Sequence, residues 1–376
     1  MFEQSPSSTG CTRGVEVVRL ESSLAAPDRT ARDGGPALVA EKRARPVVWW
    51  GAVGAGFLAL QLYVAAAWIL AGDAYKQPMG PDRMDAGAKV LAWILQGAST
   101  GALVAVVVYC ARRWRRERRM PWDAMLGIGF LCVFWQDTMC NWLRPIFFYN
   151  SYMVNLGAWN AHVPGWISPH ARNIPEPLLL SGPIYGWWFV VFAAAFCAMA
   201  RRARRRWPGI SKIGLFGLGV VLLGIMDMVL ECTFIRGGLF AYSGVIRSVS
   251  IWGGKTYQYP MYEAVIVGVF CSIVGLLRLG RDDKGLSVIE RGADTIKVST
   301  KGQAAIRTLC FIALSNVMFV VLNVVYVWIG LYVDPTPKYP SYLSNGLCGP
   351  TTDVVCPAPG VPIVLPDTKL PLPAQK

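Results

Sequence analysis

Seven apolar runs, each about 18 residues or longer, decide what this chain can become. A run of that length crosses the roughly 30 Å hydrocarbon core of a bilayer as a helix. In lipid, only helices and closed barrels satisfy every backbone polar group. The runs cover about Val47–Ala71, Ala88–Ala111, Trp122–Leu143, Leu180–Ala200, Ile210–Ile235, Tyr259–Leu279 and Ala304–Val333. They predict an all-α membrane protein, a bundle of seven transmembrane helices within residues 42–333. At 54% hydrophobic residues and a mean hydropathy of +0.38, the chain is too apolar for an ordinary soluble protein.

The charges orient the bundle. A net charge of +14 would suit a nucleic-acid binder, but Lys and Arg gather in short connections between apolar runs. Lys42, Arg43 and Arg45, the cluster at 112–119 and the cluster at 201–206 all fall on one side when the runs alternate. That is the positive-inside pattern of a multi-pass cell-membrane protein, with the N-terminus inside and the C-terminus outside. It leaves no role for nucleic acid and makes membrane lipids the obligate surroundings. Residues 1–41 are polar and read as a disordered cytoplasmic tail, and residues 334–376 as a Pro-rich, extended extracytoplasmic tail.

Of ten cysteines, seven fall within apolar runs as small packing residues, whereas Cys348 and Cys356 lie in the outer tail, where a disulfide is permitted. There is no CxxC pair and no phosphate-binding glycine loop. With only two histidines, His162 and His170, the chain lacks the ligand set of a membrane di-iron enzyme. Those two with Glu176 could hold a single metal, but an interfacial loop offers each a plainer use, so no metal is assigned. Gly97 and Gly101 form a GxxxG spacing that reads as a helix-packing face.

The acids carry the chemistry. Asp137, Asp227, Glu231 and Glu263 all sit inside apolar runs, in the outer half of the membrane. Each ionised acid near the bilayer centre costs about 2.5–3.5 kcal/mol on insertion scales, so such residues persist when paired, protonated or useful. Asp227 and Glu231 are four apart and share a helical face; Asp137, Asn141 and Arg144 share another, and Asn316 and Asn323 a third. One plain alternative is that Arg144 and Arg236 neutralise Asp137 and Glu231 as buried ion pairs.

The long connection after Asp137 is rich in aromatic and hydrogen-bonding residues, and predicts a roof over a chamber. Its Tyr149, Asn150, Tyr152, Asn155, Trp159, His162 and Trp166 are candidates to line a binding site, with Tyr262 and Arg236 from the later runs. Aromatic faces there could stabilise a developing oxocarbenium ion. Trp135, Trp142, Tyr185, Trp187 and Trp188 sit where an interfacial aromatic belt belongs.

The segments FYNSYMVNLGAWNAHVPGWISP and PEPLLLSGPIYGW, with the seven-run layout, resemble the AveC-type spirocyclases, membrane proteins of avermectin-like polyketide pathways. The resemblance spans roughly residues 45–335 and leaves out both tails. It implies an enzyme of secondary metabolism that closes a lipophilic polyketide dihydroxy-ketone into a spiroketal, with control of handedness and sometimes a later dehydration. It supplies no catalytic residues, so the site assignments rest on the acids above. Spiroketal closure is redox-neutral and asks for no cofactor: one protonated carboxyl can serve as acid, and an ionised one as base. A membrane terpenoid cyclase or isomerase would use the same equipment. A non-enzymatic seven-helix carrier or lipid-binding protein would use the acids differently, to couple protons.

Overall fold

The computed structural model describes residues 45–365 and is built of helices with two short antiparallel ladders. The N-terminal tail over residues 1–41 lies outside the described residues, as does the end of the outer tail from residue 366. The helices are α1 (Pro46–Leu70), α2 (Ala86–Glu117), a short α3 (Trp122–Leu131), α4 (Ser181–Arg206), α5 (Lys212–Arg236), α6 (Met261–Leu279) and α7 (Thr300–Ile329). The six other than α3 are long and apolar enough to cross a membrane, which marks a multi-pass membrane protein. Their starts follow local chemistry. Asp85, Ser211 and Ser299 accept from the third residue onward and cap α2, α5 and α7, while proline opens α1.

The third apolar run departs from expectation. It is not one helix: α3 ends at Leu131, and a 3-10 segment, Phe134–Asn141, carries the chain on. Broken backbone is tolerated at membrane depth only where protein satisfies its polar groups. Here side chains supply them. Ser315 Oγ donates to the Gly129 carbonyl, Trp159 Nε1 to that of Trp135, Asn323 Nδ2 to that of Gln136, and Tyr149 to that of Asp137. Asn316 Oδ1 accepts from both Trp135 Nε1 (2.9 Å) and Gln136 Nε2 (2.7 Å). In a 3-10 turn, residues four apart no longer share a face, so Asp137 and Asn141 diverge, and Arg144 lies beyond the segment.

The long helices pack in two groups around this segment. α1 lies along α7, α5 along α6, and α4 touches α3 and α6. Glycine sets the closest approach. A Cβ on Gly224 would stand 2.4 Å from the Ala264 carbonyl oxygen, and one on Gly268 2.3 Å from that of Val220. The backbones of α5 and α6 therefore touch, which brings Asp227 and Glu263 to one level. By contrast, Gly97 and Gly101 face open space, so the GxxxG of α2 packs no helix among the described residues.

Two loops close one end of the bundle. Strand β1 (Phe147–Tyr149), from the loop after Asn141, pairs antiparallel with β2 (Phe240–Tyr242), from the loop after α5, with Phe148 opposite Ala241. A second ladder joins β3 (Ser250–Ile251) to β4 (Tyr259–Pro260). Because strand side chains alternate, Phe147, Tyr149, Phe240 and Tyr242 turn to one face, and Phe148 packs its edge against Tyr339 on the other. The C-terminal tail is more than an extended segment. Helix α8 (Ser341–Ser344) and the Cys348–Cys356 disulfide fold it onto the roof, where Asn345 Nδ2 donates to the Tyr149 carbonyl at 2.7 Å.

Candidate active site

Beneath the β1–β2 ladder, α4, α5, α6, α7 and the 3-10 segment surround a cavity of about 140 Å³. Asp137, Asp227, Glu231 and Glu263, singled out from sequence on three elements, all line it. Each carboxyl receives a phenol. Tyr185 donates to Asp137 Oδ1, Tyr326 to Glu263 Oε2, Tyr242 to Glu231 Oε2 (2.6 Å), and Tyr259 to Asp227 Oδ2 (3.3 Å). Apart from Ser181 and Asn323, the rest of the wall is mostly apolar and aromatic, including Phe147, Trp188, Phe234, Phe270 and Phe319.

Among the described residues, no Lys, Arg or His lines this cavity. The ion-pair alternative therefore fails: Arg144 donates to the Val361 carbonyl, and Arg236 lies over the Tyr257 ring at 4.4 Å. The buried ion pairs sit elsewhere. Asp123 meets Arg113 and Arg278, and Glu290 meets Arg307, beside the arginine-rich connections. A chamber that lacks cations can hold several carboxyls only if some keep their protons.

The predicted binding residues divide. Tyr149 and Asn323 line the cavity, Asn323 presenting a buried Oδ1 without a donor. The others do not. Asn141 ties its own turn, accepting from Ile146 and Phe147 N–H; Asn150 holds Gly238, and Asn155 holds Gln77 N–H. Asn316 supports the broken segment, as above. Trp159 packs against Trp68 and Phe134 in a separate apolar cluster beside α1, and Trp166 against Trp142. Tyr262 turns its ring to Tyr326 from outside the lining. His162 pairs with Asp73 (2.7 Å) and His170 with Asp353 (2.6 Å), so neither joins Glu176.

Expectation is reversed for the aromatics: Tyr185 and Trp188, assigned to a belt, line the chamber, while the loop tryptophans buttress it from behind. The roof itself is the β1–β2 ladder. Sequence reasoning weighed Glu176 only as a metal ligand and gave it no place in the chamber. It is fully buried, and its carboxyl lies within hydrogen-bonding reach of Asp137, near Ser181. Burial first, then the Asp137 carboxyl, pushes Glu176 well above the usual carboxylate range.

A family model described as "Spirocyclase AveC-like" matches residues 117–342, more than half of the 376-residue chain. The chain belongs to the AveC-like spirocyclase family. The matched stretch holds all four cavity acids, Glu176 and every phenol that reaches a cavity acid. Membership and the apolar helices fit a membrane cyclase. No curated protein and no solved structure matches the chain.

Proposed function

We propose that this protein is a cyclase of the cell membrane that closes a lipophilic polyketide dihydroxy-ketone into a spiroketal by acid–base chemistry. The observation that carries this reading is one aromatic chamber walled by four phenol-bonded carboxyls and no cation among the described residues. Closure needs a proton for a departing hydroxyl, a wall that tolerates an oxocarbenium ion, and a base for the attacking hydroxyl. Carboxyl groups of unequal environment meet the first and third needs, and ring faces meet the second. Atoms and electrons balance with loss of one water, so the reaction itself calls for no electron carrier.

The cavity of about 140 Å³ compares with an engineered cavity of about 150 Å³ that admits benzene. It suits the reacting carbons of a long substrate rather than the whole of one. Holding a single conformer of those carbons would select the product's handedness.

The same reading places α3 and the 3-10 segment as a seventh, broken crossing, with the N-terminus inside and the C-terminus outside. Support comes from its course beside α7: Trp122 meets Phe311, Gly129 meets Ser315, and Gln136 meets Asn316 and Asn323 in turn. The functional test supplies membranes with a dihydroxy-ketone and follows the products by chiral chromatography. Faster closure to one epimer than in membranes without the protein is expected; an unchanged rate and ratio would refute the reading.

A further inference from the structure

Among the described residues, Glu176 is the one carboxyl near the chamber that receives no phenol. Neither of its oxygens has a hydrogen-bond donor among the described residues, and Asp137 Oδ2 lacks one as well. Two buried carboxyls in reach of each other, each with an unanswered oxygen and with the single Ser181 hydroxyl beside both, are satisfied together by a proton between them.

Glu176 is fully buried on a backbone that is held in place. Its segment is pinned on both sides: Asn155 bridges Pro177, and the Leu178 N–H donates to the Val154 carbonyl at 2.9 Å. Thr100 and Ser99 of α2 then donate to the Leu179 and Leu180 carbonyls at 3.1 and 2.9 Å. The groups facing the pair are Tyr185 of α4, Tyr149 of β1 and Cys140 of the 3-10 segment, with Glu263 and Glu231 across the cavity. None of them is a cation, so a proton is what remains to neutralise the pair.

We propose that Glu176 and Asp137 hold one proton between them, and that Glu176 is a positioning residue that keeps this proton at the chamber wall. This deepens, and rests on, the acid–base reading above. Asp137 alone touches the chamber, because Glu176 stands behind it. In the reaction, one substrate hydroxyl has already added to the ketone to give a hemiketal. The shared proton passes through Asp137 to the hemiketal hydroxyl, the C–O bond breaks, and water leaves. The second hydroxyl attacks the oxocarbenium carbon, and its proton returns to the pair. The pair ends as it began.

The test uses the full chain in lipid nanodiscs with a synthetic dihydroxy-ketone bearing a long alkyl tail, and follows closure rate against pH. The wild type should lose rate on the alkaline side, where the shared proton departs. Glu176→Gln keeps the shape but leaves Asp137 a lone acid beside an amide donor. It should move the alkaline limb to lower pH by about one unit, a tenfold change in proton affinity. Glu176→Asp should restore most of the displacement. An unmoved limb in Glu176→Gln, with Asp137→Asn still slow, would overturn the shared proton and leave the acid–base reading standing. Wild-type rates in Asp137→Asn at every pH would overturn that reading itself. Should Glu176→Gln not accumulate, infrared spectra of the wild type and Asp137→Asn decide the matter. A protonated-carboxyl band that shifts in the variant is expected, and an unshifted band contradicts the proposal.

Discussion

The Tyr242 hydroxyl donates to Glu231 Oε2 at 2.6 Å, and so ties the β1–β2 roof to the wall of α5. The bond joins two loops and a helix at the chamber, and gives a carboxyl without a cation its one strong partner. Hydrogen bonds to charged groups contribute about 1.5–3 kcal/mol, enough to orient the acid. Tyr242→Phe should lower closure about tenfold, about 1.4 kcal/mol of barrier. Because the two groups act together, adding Glu231→Gln should cost little more than Glu231→Gln alone. A double-mutant cycle of initial rates checks this, and strict additivity would separate the two residues.

Asn316 tests the broken segment. Its amide answers Trp135 and Gln136, so Asn316→Leu leaves Trp135 Nε1 buried and unpaired, and leaves Gln136 Nε2 the backbone carbonyl of residue 316 at 3.3 Å. At about 1–3 kcal/mol per orphaned group, the variant should unfold several degrees below the wild type in detergent. An unchanged melting temperature would mean that the 3-10 segment is held by packing alone.

Close contact between α5 and α6 is equally exposed to test. With the Val220 carbonyl oxygen 2.3 Å from an added Cβ, Gly268→Ala must push the helices apart. Overpacking typically costs about 1–3 kcal/mol, and here it also separates Asp227 from Glu263. Thermal unfolding should fall modestly and closure rate by more than the folded fraction accounts for. Equal losses in both would confine the glycine to packing.

Membrane orientation follows from the arginine clusters. A reporter fused after Arg206 should behave as cytoplasmic, and one fused after Lys376 as extracytoplasmic. With the N-terminus inside, the two locations exchanged would remove the seventh crossing formed by α3 and the 3-10 segment, and both reporters on one side would remove one of α5, α6 and α7.

How far the sequence reaches is clear from particular residues. Asp227, Glu231 and Glu263 stood out because carboxyls in apolar helices are costly, and helical spacing then placed the first two on one face. The break after Leu131 was hidden because the run stays apolar across it. Only the polar trio Gln136, Asp137 and Asn141, and two asparagines on α7, hinted that side chains would take over from the helix. Trp159 and Tyr185 changed places because aromatic content does not say which face of a long loop meets the cavity. Glu176, set between Pro175 and Pro177, looks like a surface acid. An acid adjoining the apolar run of Leu178, Leu179 and Leu180 was the available signal.

The most direct test of the chamber's chemistry uses Asp227→Asn and Glu231→Gln, each removing one ionisable group with little change of shape. Initial rates of spiroketal formation are compared in membranes holding equal amounts of folded protein. Each variant should turn over at least about tenfold more slowly than the wild type. Wild-type rates in both would show that the pair on α5 serves the fold alone, and would contradict acid–base catalysis by the carboxyls of this chamber.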